Sequence, residues 1–275
     1  MTVNPKGLVM RDRRTGEFVG PIIPIKPADN FYHLPRLNQR VWRYMEYWKF
    51  EHLVKHEALY FRRSDRLEDD MEGKYAEANR TYTTSVWQRF IQAYPIKHDP
   101  AAQEEGALGF RYRIFLSCWH INDTENADMW RLYTKTAESV VVVSTVRKLL
   151  TAMERYQVVP GRVRYAPQST PRPEWNYYAP FFFKDSRFMS EREFRLIGSP
   201  PDDQPVHIET MTGFNLSVTP ETIIDLVKLH PNSMPSFKDQ VKAFLAGNKI
   251  KLAVSKSALS PITLHDPADK AYTPK

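Results

Sequence analysis

The chain has 275 residues, of which 42% are hydrophobic and 13% aromatic, which is enough apolar surface for one large or two small folded domains. The single cysteine, Cys118, excludes an internal disulfide and a zinc site built from several thiolates, and it fits a reducing compartment. A formal net charge of +7 favours a polyanionic partner. We expect no signal peptide and no membrane span, and therefore a cytoplasmic protein.

Prolines set the two ends of the chain apart from its middle. Five prolines in residues 1–38 break any regular helix, and the residues after 260 are again rich in proline. We therefore predict a proline-rich N-terminal arm over residues 1–38, one folded domain over residues 39–260, and a proline-rich C-terminal tail over residues 261–275.

Hydrophobic periodicity divides the domain into helices and strands. A stripe through Val41, Tyr44 and Trp48 predicts the first helix, and a β-branched run at residues 139–143 predicts a buried strand. The predicted helices, in chain order, span residues 40–56, 74–94, 126–134, 144–154 and 236–246. The predicted strands span residues 58–62, 112–119, 139–143, 157–165, 193–198, 223–229 and 249–254. The expected caps are Asp123 or Thr124 for the third helix, Ser144 for the fourth and Gly247 for the last.

The order of these elements predicts an α+β fold. Strands and helices do not alternate regularly, and no glycine-rich turn joins a strand to a helix, which argues against a doubly wound nucleotide-binding sheet. The sequence also lacks the Gly-x-x-x-x-Gly-Lys-Ser/Thr motif, which excludes the usual ATPase and GTPase classes. We therefore expect antiparallel strands mixed with helices in a single domain.

Three short segments carry side chains suited to chemistry on a nucleotide. Their polar residues are, in chain order, Arg62 and Arg63, then Ser117, then Glu191 and Glu193. Each segment also has an ordinary structural interpretation. The arginines can pair with the acidic turn that follows them, the serine can be a hydrogen-bonded core residue, and the glutamates can lie on a solvated strand face.

Taken together, the three segments fit cleavage of the nicotinamide–ribose bond of NAD. Breaking this bond builds positive charge on the ribose, which a carboxylate such as Glu193 stabilises. An arginine fork binds pyrophosphate oxygens in pairs, and a hydroxyl such as Ser117 supports the carboxylate. Aromatic side chains such as Trp130 and Tyr133 hold the nicotinamide ring. This combination predicts NAD as a substrate.

Residues 42–259, about four fifths of the chain, resemble a widespread bacterial family of uncharacterised proteins. The shared blocks are a Leu-Tyr-Phe strand with an acidic turn, a Met-Trp-x-x-Tyr helix, and a Lys-Asp pair followed by Phe-x-x-Glu-x-Glu-Phe-Arg. They appear here as Leu59-Tyr60-Phe61 with Glu68-Asp69, as Met129-Trp130-Arg131-Leu132-Tyr133, and as Lys184-Asp185 with Phe188 to Ile197. That family in turn is similar to the arginine–serine–glutamate class of ADP-ribosyltransferases.

The resemblance implies an ADP-ribosyltransferase-like fold of split antiparallel sheets flanked by helices. It places the catalytic glutamate at Glu193, with Glu191 activating or positioning the acceptor, and the serine of the second motif at Ser117. The arginine of the first motif falls on Arg62 or Arg63. These residues, with NAD, would form the active site.

The resemblance also extends to further NAD-binding residues and to partners. Trp119 stands where that class has a small residue, and together with Trp130 and Tyr133 it completes the NAD-binding set. The acceptor would be a macromolecule, with nucleic acid, RNA ahead of DNA, as the expectation. Similar transferases act as toxins in antiphage defence, held by an antitoxin protein, and this chain resembles a candidate for such a set.

Two other classes of function remain open on the residues alone. Basic patches and the aromatic loop residues Trp175, Tyr177 and Tyr178 also fit a non-catalytic nucleic-acid-binding or nuclease-like effector. The proline-rich ends also fit an interaction protein that recruits a partner. His52 and His56 have the i, i+4 spacing of metal ligands, but no recognised metal motif surrounds them, and we expect no metal site.

Overall fold

The computed structural model describes residues 3–4, 7–8, 33–69, 71–74, 111–156, 158–167, 169–170, 178–200 and 210–264. The predicted helix over residues 74–94, apart from its first residue, lies outside this part of the chain. So do most of the two proline-rich ends and the loop residues Trp175 and Tyr177.

Thirteen strands and five α-helices are found in the described residues. The strands are β1 Val3–Asn4, β2 Gly7–Leu8, β3 Arg40–Glu46, β4 Ala58–Arg63, β5 Phe115–Ile121, β6 Ser139–Thr145, β7 Val159–Arg162, β8 Arg164–Ala166, β9 Phe183–Asp185, β10 Glu193–Gly198, β11 Gly213–Ser217, β12 Leu226–Leu229 and β13 Val254–Lys256. The helices are α1 Tyr47–Lys55, α2 Ala127–Tyr133, α3 Val146–Met153, α4 Pro220–Ile223 and α5 Pro235–Gly247. Three 3₁₀ turns span Ser64–Arg66, Ala179–Phe182 and Ser186–Glu191. None of the described helices has the length and apolar content that crossing a bilayer requires.

These elements confirm the predicted α+β class, with a large and mostly antiparallel sheet flanked by helices. Nine strands form this sheet, in the order β11-β4-β5-β3-β6-β12-β13, with β10 and β7 following on the other side of β5. Only β12 and β13 pair in parallel within it. Two small sheets, β1 with β2 and β8 with β9, accompany it.

The prediction of one helix over residues 40–56 was wrong in its first half. Residues Arg40–Glu46 form strand β3, which pairs with β6 at seven consecutive positions, and only then does helix α1 begin. Both faces of β3 are covered: Val41 and Met45 pack on one side, Trp42 and Tyr44 on the other. A strand that is buried on both faces loses the alternation that distinguishes it from a helix.

Other differences are smaller. The predicted strand over residues 223–229 begins as the short helix α4, and the strand predicted over residues 157–165 is divided into β7 and β8. Strands β1, β2, β9 and β11 and the 3₁₀ turns were not predicted, and the strand predicted over residues 249–254 overlaps β13 only at Val254. The helix caps are Asn126 for α2 and Thr145 for α3, each one to three residues from the expected position. The strand predicted over residues 193–198 is confirmed as β10.

The sheet divides beside β5, and this division defines the geometry of the candidate sites. On one side, β10 pairs with β5 from Phe115 to His120. On the other side, β4 pairs with β5 at Phe115 and Leu116, whereas β3 pairs with it at His120 and Ile121. Among the described strands, none pairs with the middle of β5 on that side. We call the gap between β3 and β4 at this point the fork.

The two faces of the sheet carry different cores. The first face packs under α1, α3 and α5 in one large apolar cluster that includes Trp119, Phe194 and Leu196. Burial of side chains of this size stabilises the fold by about 1.5–3 kcal/mol each. The second face carries two smaller clusters, one around Trp130 and one around Phe181. Charged residues of β10 lie between these two smaller clusters.

Candidate active site

Five charged side chains meet in a buried network on the second face: Glu72, Lys184, Glu191, Glu193 and Arg195. The Glu193 carboxylate accepts hydrogen bonds from the Lys184 ammonium at 3.0 Å and from the Arg195 guanidinium at 2.8 Å. Arg195 also forms a bidentate pair with Glu72, at 2.6 and 2.9 Å. Lys184 donates to Glu191 at 2.7 Å. We call this network the carboxylate cluster.

The local chain path brings the two predicted glutamates to the same place. Glu193 and Arg195 are two residues apart on β10, so both side chains project from the same face of the sheet. Glu191 ends a 3₁₀ turn, and the residue between the glutamates, Arg192, has a φ of +42°. This left-handed residue joins the turn to the strand, and it costs of order 1 kcal/mol or more for a side chain other than glycine. Backbone strain of this kind is concentrated at functional sites.

The two glutamates of the cluster differ in how readily they bind a proton. Three carboxylates share two cations, so the buried network has one negative charge in excess. Burial and the neighbouring Glu193 raise the pKa of Glu191 to about 7. Burial opposes ionisation of Glu193 as well, but Arg195 and Lys184 hold its pKa well below the ordinary value. Near neutral pH, Glu191 therefore exchanges a proton while Glu193 remains ionised, the division of roles that acid–base sites use.

Three ring side chains complete the surroundings of the cluster. The Tyr133 hydroxyl donates to Glu191 at 2.8 Å, while the residue as a whole is 41% exposed, so Tyr133 links the cluster to the surface. The Tyr165 hydroxyl accepts from the backbone N–H of Glu193 at 2.8 Å. His120, opposite Glu193 in the sheet, donates from Nδ1 to the Glu191 carbonyl at 2.7 Å. Its Nε2 is buried without a hydrogen-bond partner among the described residues.

A basic groove of about 530 Å³ adjoins the cluster. The side chains that define it, which we call the arginine groove, are His33, Arg162, Arg164, Tyr165, Met189 and Arg192. Among the described residues, no acidic residue lines the groove, and its three arginines have no carboxylate partner. Tyr165 lines the groove and also contacts Glu193, so the groove lies directly beside the carboxylate cluster.

Ser117 lies on the opposite face of the sheet from Glu193. In the pairing of β5 with β10, Ser117 stands opposite Leu196, which belongs to the first face, whereas Glu193 stands opposite His120. Side chains directly opposite each other in an antiparallel pair project to the same side. The structure therefore does not bring Ser117 and Glu193 together. The Ser117 hydroxyl is buried at the fork, where it accepts from Trp119 Nε1 at 3.2 Å.

The second donor to Ser117 is Arg43, which was not predicted as a site residue from the sequence. Arg43 Nη1 donates to the Ser117 hydroxyl at 3.0 Å, and Nη2 donates to the Tyr60 carbonyl at 3.1 Å. The guanidinium also lies 5.7 Å from the centre of the Trp119 ring. Arg43 thus spans the fork and satisfies a carbonyl that β4 leaves without a strand partner there.

The predicted arginines of β4 have separate environments. Arg62 is exposed, and its Nε donates to the carbonyl of Arg66 at 2.6 Å. Arg63 is buried and pairs with Asp65, which is the ordinary interpretation of these arginines. Within the described residues, Arg62 forms no hydrogen bond with Ser117 or with the carboxylate cluster.

The remaining aromatic residues predicted to bind NAD lie in different environments. Tyr133 belongs to the carboxylate cluster through Glu191. Trp130, on the same helix, is fully buried, donates from Nε1 to Glu125 at 2.9 Å and packs edge-on against Tyr44 at 5.0 Å. Trp130 is therefore a core residue in this structure, and Trp119 is one as well.

Three members of the carboxylate cluster, Glu72, Lys184 and Arg195, were not predicted as site residues from the sequence, and neither was the neighbouring Tyr165. Lys184 and Arg195 lie in the Lys-Asp and Glu-Phe-Arg blocks of the resemblance, and Glu72 lies three residues after Asp69 of its acidic turn. The alternation Glu193-x-Arg195 was a usable signal, because residues two apart on a strand share a face. Within the described residues, no group of three or more histidine, cysteine or acidic side chains is arranged to hold a metal ion.

Comparison with known proteins does not add a functional assignment. No protein-family model matches the chain. No curated protein matches it at a significant level. The function is therefore argued from the carboxylate cluster, the arginine groove and the fork.

Proposed function

We propose that the chain is an ADP-ribosyltransferase that moves ADP-ribose from NAD to a macromolecular acceptor. The observation that carries the proposal is the Glu191–Glu193 pair, one glutamate ionised and one titrating near neutrality, beside an arginine groove whose described lining residues include no acid. Glycosidic cleavage uses two carboxylates in such different protonation states.

In the proposed reaction, the bond between the ribose C1′ and the nicotinamide nitrogen breaks, and nicotinamide leaves with the electron pair. Glu193 stabilises the positive charge on the ribose and accepts a hydrogen bond from its 2′-hydroxyl. A nucleophilic oxygen or nitrogen of the acceptor then forms the new bond to C1′. Its proton passes to ionised Glu191, so the rate should rise with pH through about 7.

The arginine groove supplies the affinity for the NAD pyrophosphate in this proposal. Guanidinium groups bind phosphate oxygens in pairs, and Arg162, Arg164 and Arg192 have no carboxylate partner among the described residues that would compete. In the structure, Lys184 donates a hydrogen bond to one carboxylate oxygen of Glu193 at 3.0 Å. The ribose hydroxyl would have to replace that contact, while Lys184 keeps its bond to Glu191 at 2.7 Å.

The test is incubation of the full chain with labelled NAD and separate fractions of RNA, DNA and protein. Wild type should label one fraction and release nicotinamide, and Glu193→Gln should do neither. Because Glu193 is buried among charges, thermal unfolding must show that this variant is folded. A second variant, Arg162→Gln with Arg192→Gln, changes exposed residues only and should raise KM for NAD. A folded wild-type chain that releases no nicotinamide would overturn the proposal.

A second candidate function is nucleic-acid binding without NAD chemistry. The favouring observation is that Glu193 already has two cationic partners and is buried, which is the arrangement of a structural ion network. The arginine groove would then bind a phosphate backbone directly. RNA binding that does not change on adding NAD, with no nicotinamide released, would favour this candidate.

The biological setting follows from the resemblance alone. We propose a role as an antiphage toxin acting in the cytoplasm, with RNA ahead of DNA as the acceptor and an antitoxin protein as partner. Growth arrest on expression of wild type, but not of Glu193→Gln, would support the toxin role.

A further inference from the structure

A second groove, of about 370 Å³, lies at the end of helix α5. One wall is the last two turns of α5, and the other is residues 249–252, which connect that helix to strand β13. Lys242, Lys249 and Lys251 line it together with the aliphatic residues Leu245, Ile250 and Leu252. We call it the lysine groove. Among the described residues, it shares no lining residue with the arginine groove.

The turn that ends α5 brings the two walls together. Lys242 and Leu245 are three residues apart on the helix, so they are neighbours on one side of it. After the helix, Lys249 has a φ of +60°, and the N–H of Ile250 donates to the carbonyl of Leu245 at 2.9 Å. Glycine adopts this left-handed conformation at a lower cost than a residue with a side chain. A lysine therefore lies at the groove where the turn alone would favour glycine.

The floor of the lysine groove is apolar and is held in place by the core. Leu245 is buried in the large cluster of the first face, and Ile250 and Leu252 are half-buried against that cluster. Because close packing fixes these side chains, the floor is preformed. The exposed parts of Ile250 and Leu252 are aliphatic surface that a ligand would remove from water, with a gain in free energy.

The three lysines give the rim of the groove an unbalanced positive charge. All three are exposed, and within the described residues none forms an ion pair and no acid lines the groove. Two acids lie nearby. Glu221 of α4 accepts a hydrogen bond from the backbone N–H of Lys251 at 3.1 Å, and Asp239 lies one turn before Lys242 on α5. In the described part of the chain, neither carboxylate forms an ion pair with a lysine of the groove.

An exposed sheet edge is the ordinary reason for lysines at such a place. β13 is the last strand at one end of the large sheet, and in the described residues it pairs with β12 alone. Lysine beside an open edge hinders pairing with other chains. That role accounts for Lys251, three residues before β13, but not for Lys242, which lies on the helical wall. Cations on both walls of one apolar floor indicate a surface for a ligand that is both anionic and apolar.

We propose that the lysine groove docks an acidic amphipathic segment of a partner protein. Aspartate or glutamate side chains of the segment pair with Lys242, Lys249 and Lys251, and its apolar side chains cover Ile250 and Leu252. Charge complementarity selects an acidic segment, whereas a basic one is repelled. A nucleic-acid backbone would satisfy the lysines but offers no aliphatic group to the floor, so a peptide is the better match. This docking requires neither NAD nor the carboxylate cluster.

The experiment is fluorescence anisotropy of the full chain, at low ionic strength, with a short labelled peptide that contains glutamates and leucines separated by serines. Wild type should bind this peptide, and added salt should weaken binding because exposed charges are screened. Lys242→Gln with Lys251→Gln should weaken binding by about tenfold or more. Arg162→Gln with Arg192→Gln is the matched control, because it removes the same charge from the other groove, and it should bind as wild type does. All four side chains are exposed, and thermal unfolding checks that both variants are folded.

A second peptide, with its leucines replaced by serines, tests the floor of the groove. It should bind wild type about tenfold more weakly, because Ile250 and Leu252 then have no apolar partner. Equal binding of the two peptides would overturn the proposal, as would no binding of the leucine peptide to wild type or an equal loss in the two double variants. Phosphatidylserine vesicles that bind through these lysines, when the peptide does not, would assign the groove to a membrane surface instead. Nicotinamide release enters none of these measurements, so the outcome is separate from that of the proposed transferase.

Discussion

Replacing Glu191 by glutamine should change how the stability of the protein depends on pH. Burial and the neighbouring Glu193 raise the pKa of Glu191 from the ordinary carboxyl value to about 7 in the folded chain. A raised pKa means that the folded state binds this proton more tightly than the unfolded state does. The stabilisation is fully present below the ordinary value near 4.5, and it is lost as pH rises through about 7.

The size of the effect follows from that difference in pKa. At about 1.4 kcal/mol for each pKa unit, wild type should lose about 2–3 kcal/mol of unfolding free energy between about pH 5 and about pH 8 through this group. Glu191→Gln cannot ionise and keeps a neutral side chain of similar shape. It should therefore be close to wild type in stability near pH 5 and more stable than wild type near pH 8.

Urea unfolding followed by tryptophan fluorescence at the two pH values measures this directly. Glu154→Gln is the matched control, because Glu154 is an exposed glutamate at the end of α3 and its replacement should leave the pH dependence unchanged. If Glu191→Gln and wild type lose the same stability between the two pH values, Glu191 does not carry the extra proton of the cluster and the reasoning fails.

Two further changes test the packing around the cluster. Arg195→Met removes the cation shared by two buried carboxylates and should lower the free energy of unfolding by about 3–5 kcal/mol at neutral pH, measured in urea. A loss below about 1 kcal/mol would show that the network is not coupled as described. Gly73→Ala should cost about 1–3 kcal/mol, because Gly73 has a φ of +69° and its added Cβ would meet the ring of Phe181. Thermal unfolding measures this change, and an unaltered melting temperature would contradict the steric argument.

The sequence predicted the strand β10 and its two glutamates because that segment has a strong local signal. Residues Glu193–Gly198 are β-branched, aromatic and aliphatic residues between charged ones, and they pair with β5 along their whole length. Helix α5 and strand β4 were predicted for the same reason, a short pattern bounded by turn residues. In these segments, local preference and tertiary packing agree.

Strand β3 shows where the local pattern was not sufficient. Its residues are covered on both faces, so apolar side chains occur at positions that also satisfy a helical stripe. Pairing with β6 at seven positions decided the outcome, and that partner lies about 100 residues further along the chain. Because Arg43 lies on β3, the mistaken helix also hid its position at the fork.

Composition, charge and local pattern determined that this chain folds as an α+β protein and that Glu191 and Glu193 stand together at the start of a strand. Only the tertiary structure decided which residues surround them. Glu72 joins the network through Arg195 from a distant part of the chain, and Lys184 reaches both glutamates from the preceding strand β9, whereas Ser117 is turned to the other face by the register of β5 against β10. A shift of one residue in that register would reverse the face of every side chain on the strand, and no short stretch of sequence encodes the register by itself.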